Sequence, residues 1–178
     1  MPPSPTSSTA PIFLIGYRGT GKTTVAPLLA AKLGYAWVDS DDQIEQAAGK
    51  SIADIFADDG EPAFRNWEVQ VVQQLSQQRS IVAALGGGAV LRDENQLAIK
   101  NSRAVIWLTA PIDTIANRIA DDGATAHRRP NLTPTGGKAE IEALLELRAP
   151  IYRACATLVI DTEGKSPAQI VDEIIGHL

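Results

Sequence analysis

The chain has 178 residues, 44% of them hydrophobic, a size that suits one domain around one core. Against 16 Lys and Arg stand 21 Asp and Glu, a net charge of −5 that excludes a general nucleic-acid surface but leaves room for a few arginines around a small anion. The single cysteine, Cys155, excludes an intramolecular disulfide and a cysteine-based zinc site, fits a reducing cytoplasm, and is expected to be a small buried hydrophobe.

Residues 1–10 are rich in Pro, Ser and Thr and lack both a basic patch and an apolar stretch, which predicts a disordered leader rather than a signal peptide, ahead of one domain over 11–178. No apolar run approaches the roughly 20 residues that cross a bilayer, so no membrane partner is expected. A strand is expected over Ile12 to Ile15. The loop after it, Gly16-Tyr17-Arg18-Gly19-Thr20-Gly21-Lys22-Thr23, matches G-x-x-x-x-G-K-[ST], and a helix-forming run, Val25 to Leu33, follows. In such a loop the glycines free the backbone to turn its N–H groups onto phosphates. Lys22 would reach the β- and γ-phosphates, the Thr23 hydroxyl would sit on Mg²⁺, and the helix N-terminus would add partial positive charge. A nucleotide triphosphate is therefore the expected ligand.

The second strand, Ala36 to Asp39, runs into Asp39-Ser40-Asp41-Asp42, acids on the rim where the phosphate loop opens and suited to Mg²⁺ and to an acceptor hydroxyl. If the strand persists, its alternation sends Asp39 and Asp41 to different sides, while Asp42 suits a helix N-cap. Pro62 opens an amphipathic helix over Glu61 to Gln78 with Phe64, Trp67, Val71 and Leu75 as its apolar stripe. Arg65 and Glu68, at i and i+3, are placed off that stripe, where they form either part of a site or a solvated ion pair. A third strand, Ile81 to Leu85, leads directly into Gly86-Gly87-Gly88, which is either backbone that something must approach closely, a sharp turn, or a flexible tip.

A fourth strand, Ala104 to Thr109, precedes Arg118. Asp121 to Lys138 is too long and polar for an ordinary connector and is expected to be a mobile lid carrying Arg128-Arg129-Pro130. Helical periodicity returns from Lys138 to Arg153 through Ile141, Leu144, Leu145 and Arg148. A fifth strand, Thr157 to Ile160, and a last helix opened by Pro167 complete the chain. The strands are apolar on consecutive residues, as in a parallel sheet covered on both faces. The expected architecture is a three-layer α/β sandwich that gathers ligands at the strands' carboxyl ends. Arg118, Arg128, Arg129, Arg148 and Arg153 together suit carboxylate and phosphate binding. His127 and His177 have no metal-like partner at helical spacing and receive no role.

Taken together, the phosphate loop, Asp39-Ser40-Asp41, Ser51-Ile52-Ala53-Asp54-Ile55-Phe56, Gly60-Glu61-Pro62-Ala63-Phe64-Arg65-Asn66-Trp67-Glu68, the triple glycine, Arg129-Pro130 and Leu147-Arg148-Ala149-Pro150-Ile151-Tyr152 closely resemble the shikimate kinase family, in order from about Ile12 to Asp161. The resemblance implies a nucleoside-monophosphate-kinase-like P-loop fold with a five-stranded parallel sheet of order 2-3-1-4-5. It implies transfer of a phosphoryl group from ATP to the 3-hydroxyl of shikimate in the cytoplasm, by a monomer with Mg²⁺. On this resemblance Asp41 would bind the acceptor hydroxyl and act as its base, and Asp39 would hold Mg²⁺ through water beside Thr23. Arg65 and Arg148 would clamp the shikimate carboxylate, Gly86, Gly87 and Gly88 would contact the ring substituents, and Glu68 would orient Arg65. Arg129 would close onto the phosphates opposite Lys22. Gly19, Thr20, Gly21, Thr24, Arg118 and Pro167 would complete the ATP site. A gluconate kinase is the nearest rival; the triple glycine and Phe64-Arg65-x-x-Glu68 distinguish the two. A GTPase-like switch would need an Asn-Lys-x-Asp motif, which the sequence lacks, and a silent homologue would not need Lys22, Thr23, Asp39, Asp41, Arg65 and Arg148 intact.

Overall fold

The computed structural model describes residues 8–123 and 136–178. Strands β1 (Ile12–Ile15), β2 (Ala36–Asp39), β3 (Ile81–Ala84), β4 (Ala104–Thr109) and β5 (Leu158–Asp161) form one sheet of order β2-β3-β1-β4-β5. Every neighbouring pair is parallel, and Leu14 of β1 stands between Ala84 and Ile106. The expected strand order is thus the observed one.

The helices are α1 (Lys22–Leu33), α2 (Ser40–Ala48), α3 (Ile52–Asp59), α4 (Glu61–Ser76), α5 (Asp93–Ile99), α6 (Ile112–Asp121), α7 (Gly137–Cys155) and α8 (Pro167–His177), with a 3₁₀ turn at Ala89–Leu91. Strand alternation divides the core into two layers. Ile12 and Leu14 pack with Val25 and Leu29 of α1 and Ile174 of α8, while Phe13 and Ile15 pack with Val71 and Leu75 of α4 and Tyr152 of α7. Because both faces of β1 are covered, none of its four residues meets water, which explains its unbroken apolar run.

Three strand boundaries differ by a residue from the sequence reading, one of them the end of β5 at Asp161 instead of Ile160. β3 ends at Ala84 because the chain turns into the glycines after the Leu85 N–H bonds the Leu14 carbonyl at 3.0 Å. β5 starts at Leu158 because the Thr157 hydroxyl, not a backbone carbonyl, accepts the Val105 N–H at 3.0 Å. Of residues 1–10, the last three are described. The Thr9 carbonyl accepts the Ser80 N–H at 2.7 Å and the Ser8 carbonyl accepts the Tyr35 hydroxyl at 2.9 Å, so both are tied to the domain. Residues 1–7 lie outside the described residues, as do residues 124–135 of the expected lid, with His127, Arg128, Arg129 and Pro130. The lid's described ends are the close of α6 at Asp121 and the opening of α7 at Gly137. Among the described residues no helix is long and apolar enough to cross a membrane.

The topology fixes where ligands can sit. β1 is flanked by β3 on one side and β4 on the other, the switch point at which an open parallel sheet leaves a crevice at its carboxyl end. The phosphate loop leaves β1 at that crevice.

Candidate active site

The loop from Gly16 to Gly21 takes its shape from three glycines at positive φ: Gly16 at 137°, Gly19 at 81° and Gly21 at 98°. Gly16 has a steric reason as well, since a Cβ there would stand 2.5 Å from the Leu108 carbonyl oxygen. Gly21 is the N-cap of α1, no side chain caps the helix, and its first turn has no acid, so the positive end of the helix is left for an anion. Lys22 is nearly buried, and its ammonium donates to the carbonyls of Gly16 at 2.6 Å and Tyr17 at 3.0 Å, which wraps the loop around the charge. Thr20 is equally enclosed, and its hydroxyl donates to the Tyr17 carbonyl at 2.8 Å; its side chain braces the loop and leaves its backbone to face a phosphate. Thr23 and Thr24 are exposed on the first turn.

That loop lines a large open cleft together with Asp39, Asp41, Arg118, Lys165, Pro167 and Ile170. Arg118 donates to the Gly19 carbonyl at 3.3 Å and to the Thr162 hydroxyl at 3.1 Å, tying α6 to the phosphate loop. Ser166 caps α8 in a reciprocal capping box with Gln169, which sets Pro167 at the cleft edge.

The acidic cluster is arranged differently from the sequence reading. The strand does not persist past Asp39, so alternation does not govern Asp41. Asp39, and not Asp42, is the N-cap of α2, its Oδ1 accepting the Asp41 N–H at 2.8 Å. Asp42 is exposed on the first turn, whereas Asp39 and Asp41 are buried against the cleft. Ser40 is fully buried, and its hydroxyl accepts the Gly86 N–H at 3.1 Å, joining the start of α2 to the glycine loop.

A second, smaller cavity opens beside the first, lined by Tyr17, Ile52, Phe56, Phe64, Arg65, Glu68, the three glycines and Arg148. Arg18 and Asp41 line both. Arg65 and Glu68 are not on a solvated face. Arg65 is 9% exposed and Glu68 0%, and they share the buried side of α4 with Phe64, Val72 and Leu75. Arg65 donates to Glu68 Oε1 at 2.8 Å and to Glu61 Oε1 at 3.3 and 3.4 Å, and its guanidinium lies 5.2 Å from the Phe64 ring centre. Burying two charges is tolerable because they pair. Trp67, expected in the stripe, sits at its edge and packs against the core only in part.

None of the three adjacent glycines has a positive φ, so the loop is neither a left-handed turn nor a free tip. Close approach is the reason for them. A Cβ on Gly88 would stand 2.6 Å from both terminal nitrogens of Arg65, and one on Gly86 would stand 3.2 Å from Asp41 Oδ1 and Glu68 Oε2. On Gly87 it would lie 3.5 Å from Arg148 Nη1, from the Arg18 nitrogen and from the Gly16 carbonyl oxygen. Arg148 is nearly buried, 5.8 Å from the centre of the Tyr17 ring. Burial pushes the Tyr17 phenol up, with Arg18 and Arg148 pulling down against it and Glu140 pushing the same way.

Gly86, Gly87, Gly88, Asp41, Arg65, Glu68 and Arg148 therefore share one cavity, and Asp39 joins the phosphate-loop residues in the other. Arg153 lines neither, since its guanidinium lies over the buried Trp107 ring at 5.3 Å. Cys155 is half-buried against the core, where burial raises its thiol pKa. His177 is exposed. The sequence reading missed Tyr17 and Arg18, which occupy unspecified positions of the phosphate-loop pattern, and the apolar walls Ile52 and Phe56, whose residue types signal only a core.

Residues 18–178 match the model of a protein family described as shikimate kinase. A shikimate kinase of Rhodopirellula baltica is 44% identical over 164 residues, 92% of this chain and 88% of that protein. One from Persephonella marina is 42% identical, covering 94% and 98%. Among solved structures, the shikimate kinase from Acinetobacter baumannii in complex with shikimate superposes with a TM-score of 0.87 at 33% identity, over 94% of this chain and 92% of that one.

Proposed function

From membership of the shikimate kinase family, to which this chain belongs, we propose that it transfers the γ-phosphoryl group of ATP to the 3-hydroxyl of shikimate, giving shikimate 3-phosphate and ADP. The observation that carries this reading is a pair of adjoining cavities that share Asp41 and Arg18. One is framed by the phosphate loop, and the other sets two buried arginines against apolar walls and bare glycine backbone. That second composition suits a small carbocycle with one carboxylate and several hydroxyls.

In this reading the backbone N–H groups of Gly19, Thr20 and Gly21 and the first turn of α1 at Thr23 and Thr24 hold the phosphates, with Lys22 on the β- and γ-oxygens. Arg118 and Pro167 flank the base. Arg65 and Arg148 take the carboxylate, and Glu68 fixes the Arg65 guanidinium so that its fork is aimed before substrate arrives. Asp41 accepts the proton of the acceptor hydroxyl. A new oxygen–phosphorus bond then forms as the bond between the γ-phosphorus and the β,γ-bridging oxygen breaks, and ADP leaves. Arg129, outside the described residues, is assigned to charge neutralisation on the transferring group, where exclusion of water protects ATP from hydrolysis.

Mg²⁺ fits the donors present: the Thr23 hydroxyl and the Asp39 carboxylate are hard oxygen ligands on one cleft, the type this ion takes beside substrate phosphates. Thr23 and, through water, Asp39 would hold it, and it would supply charge neutralisation for the triphosphate. A gluconate acceptor is disfavoured, because an open-chain polyol needs neither the apolar wall of Phe56 and Phe64 nor the glycine floor. A monomeric cytoplasmic enzyme completes the proposal: the compartment rests on the lone cysteine, the monomer on the family resemblance, and the single folded unit over 11–178, to which Ser8 and Thr9 are tied, on the size of the chain.

Phosphorus NMR of a reaction with ATP, Mg²⁺ and shikimate tests the chemistry. A new phosphomonoester resonance whose phosphorus couples to the ring proton at C3 is expected. Coupling at C4 or C5, or inorganic phosphate as the only new product beside ADP, would contradict it.

A further inference from the structure

Tyr152 is a large buried polar side chain that the chemistry above leaves without a role. It is fully buried in the acceptor half of the molecule, one helical turn after Arg148, so that α7 presents phenol and guanidinium side by side. Its hydroxyl donates to the Gly87 carbonyl at 2.5 Å. The Arg148 charge, one turn earlier on the same helix, acts on the same oxygen. A phenol has one proton to donate, and this one commits it to the glycine loop. Its ring is held independently of that bond, 5.6 Å from the Trp107 ring centre.

Gly87 lines the smaller cavity next to the phosphate loop, where an added Cβ would stand 3.5 Å from the Gly16 carbonyl oxygen, the Arg18 nitrogen and Arg148 Nη1. A small rotation of this peptide would move the acceptor floor relative to the phosphate loop, and misplacement of about 1 Å is costly in a transfer that depends on positioning. We propose that Tyr152 is a positioning residue that locks the Gly87 peptide and the Arg148 guanidinium in one fixed relation, setting the acceptor's placement against the donor loop. Burial pushes the phenol up to about 12, against the pull of Arg148 and Arg65, so the hydroxyl keeps its donor proton throughout the neutral range. The inference rests on the acceptor-site reading for its kinetic consequence but not for its structural one.

Tyr152→Phe keeps the ring packing and removes only the hydroxyl. The KM for shikimate is expected to rise about tenfold with the KM for ATP within about twofold, the scale of one lost buried hydrogen bond. In an Arg148→Lys background the same change is expected to add less than about twofold, because residues that act as a unit are not additive. In the protein without substrates, exchange of the Ala89 and Leu91 amides, which bond the Gly86 and Gly88 carbonyls at 3.0 and 3.1 Å, is expected to quicken at least about fivefold. An unchanged shikimate KM, an undiminished penalty in the Arg148→Lys background, or unchanged exchange at those amides would each overturn the proposal. A wild-type protein with no shikimate-dependent turnover would instead overturn the acceptor assignment, and amide exchange would still decide whether Tyr152 holds the loop.

Discussion

Asp41→Asn is expected to lower kcat at least about a hundredfold while leaving the affinity for ATP within about twofold, the usual scale for loss of a positioned base. The substitution is clean because of where the cap lies. Asp39 supplies the carboxylate that caps α2, and Asp41 contributes to that cap only its backbone N–H, which asparagine keeps. The α2 cap should therefore survive the substitution, and a loss of kcat would not be a loss of that helix. Asp41 also lines both cavities, so a change in its charge reports on transfer between them. Stopped-flow turnover together with ATP calorimetry checks the expectation. Near-normal turnover would mean that Asp41 is neither base nor anchor.

Gly88→Ala is expected to act on acceptor binding. The added methyl would stand 2.6 Å from both terminal nitrogens of Arg65, too close to coexist with them, yet the obstructing atoms are the end of a flexible side chain. The guanidinium moves and the backbone stays. Because its place is set by Glu68 at 2.8 Å and Glu61 at 3.3 Å, any displacement also breaks the fork's alignment. The KM for shikimate should rise about 10- to 100-fold, the cost of a misplaced charge-assisted pair, and the melting temperature should fall with it, because the buried Glu68 carboxylate loses alignment with its partner charge. Gly16→Ala makes the informative contrast. There the added methyl meets the Leu108 carbonyl at 2.5 Å with φ at 137°, and the fold itself should weaken. An unaltered shikimate KM in Gly88→Ala would show that Arg65 does not hold the acceptor.

What could be seen in the sequence follows from the range of each interaction. The phosphate loop was legible because its geometry is local: a strand, glycines at fixed spacing and a helix start lie within a dozen residues. The sheet order needed the family resemblance, since apolar runs establish that strands are buried but not which are neighbours. Periodicity misplaced Arg65 and Glu68. A stripe counted from apolar residues alone cannot include two charges that become buriable only by pairing with each other. The cap at Asp39 was missed because four consecutive polar residues offer several capping registers, and only the end of β2 selects one. The triple glycine looked ambiguous until the side chains crowding it came from three distant segments, α2, α4 and α7. Arg18 gave no local signal, because it occupies an unspecified position of the phosphate-loop pattern, and Tyr152 stood in a family motif without a role, because its hydroxyl meets Gly87 only across the fold.

The central claim is that a donor cavity and an acceptor cavity share Asp41 and serve one reaction, with shikimate as the acceptor. The most direct test is the initial rate of ADP formation by the full chain with ATP and Mg²⁺, measured alone, with shikimate and with gluconate. Strong stimulation by shikimate, with gluconate no better than the blank, is the predicted result. A rate indifferent to shikimate, or equally stimulated by gluconate, would contradict it.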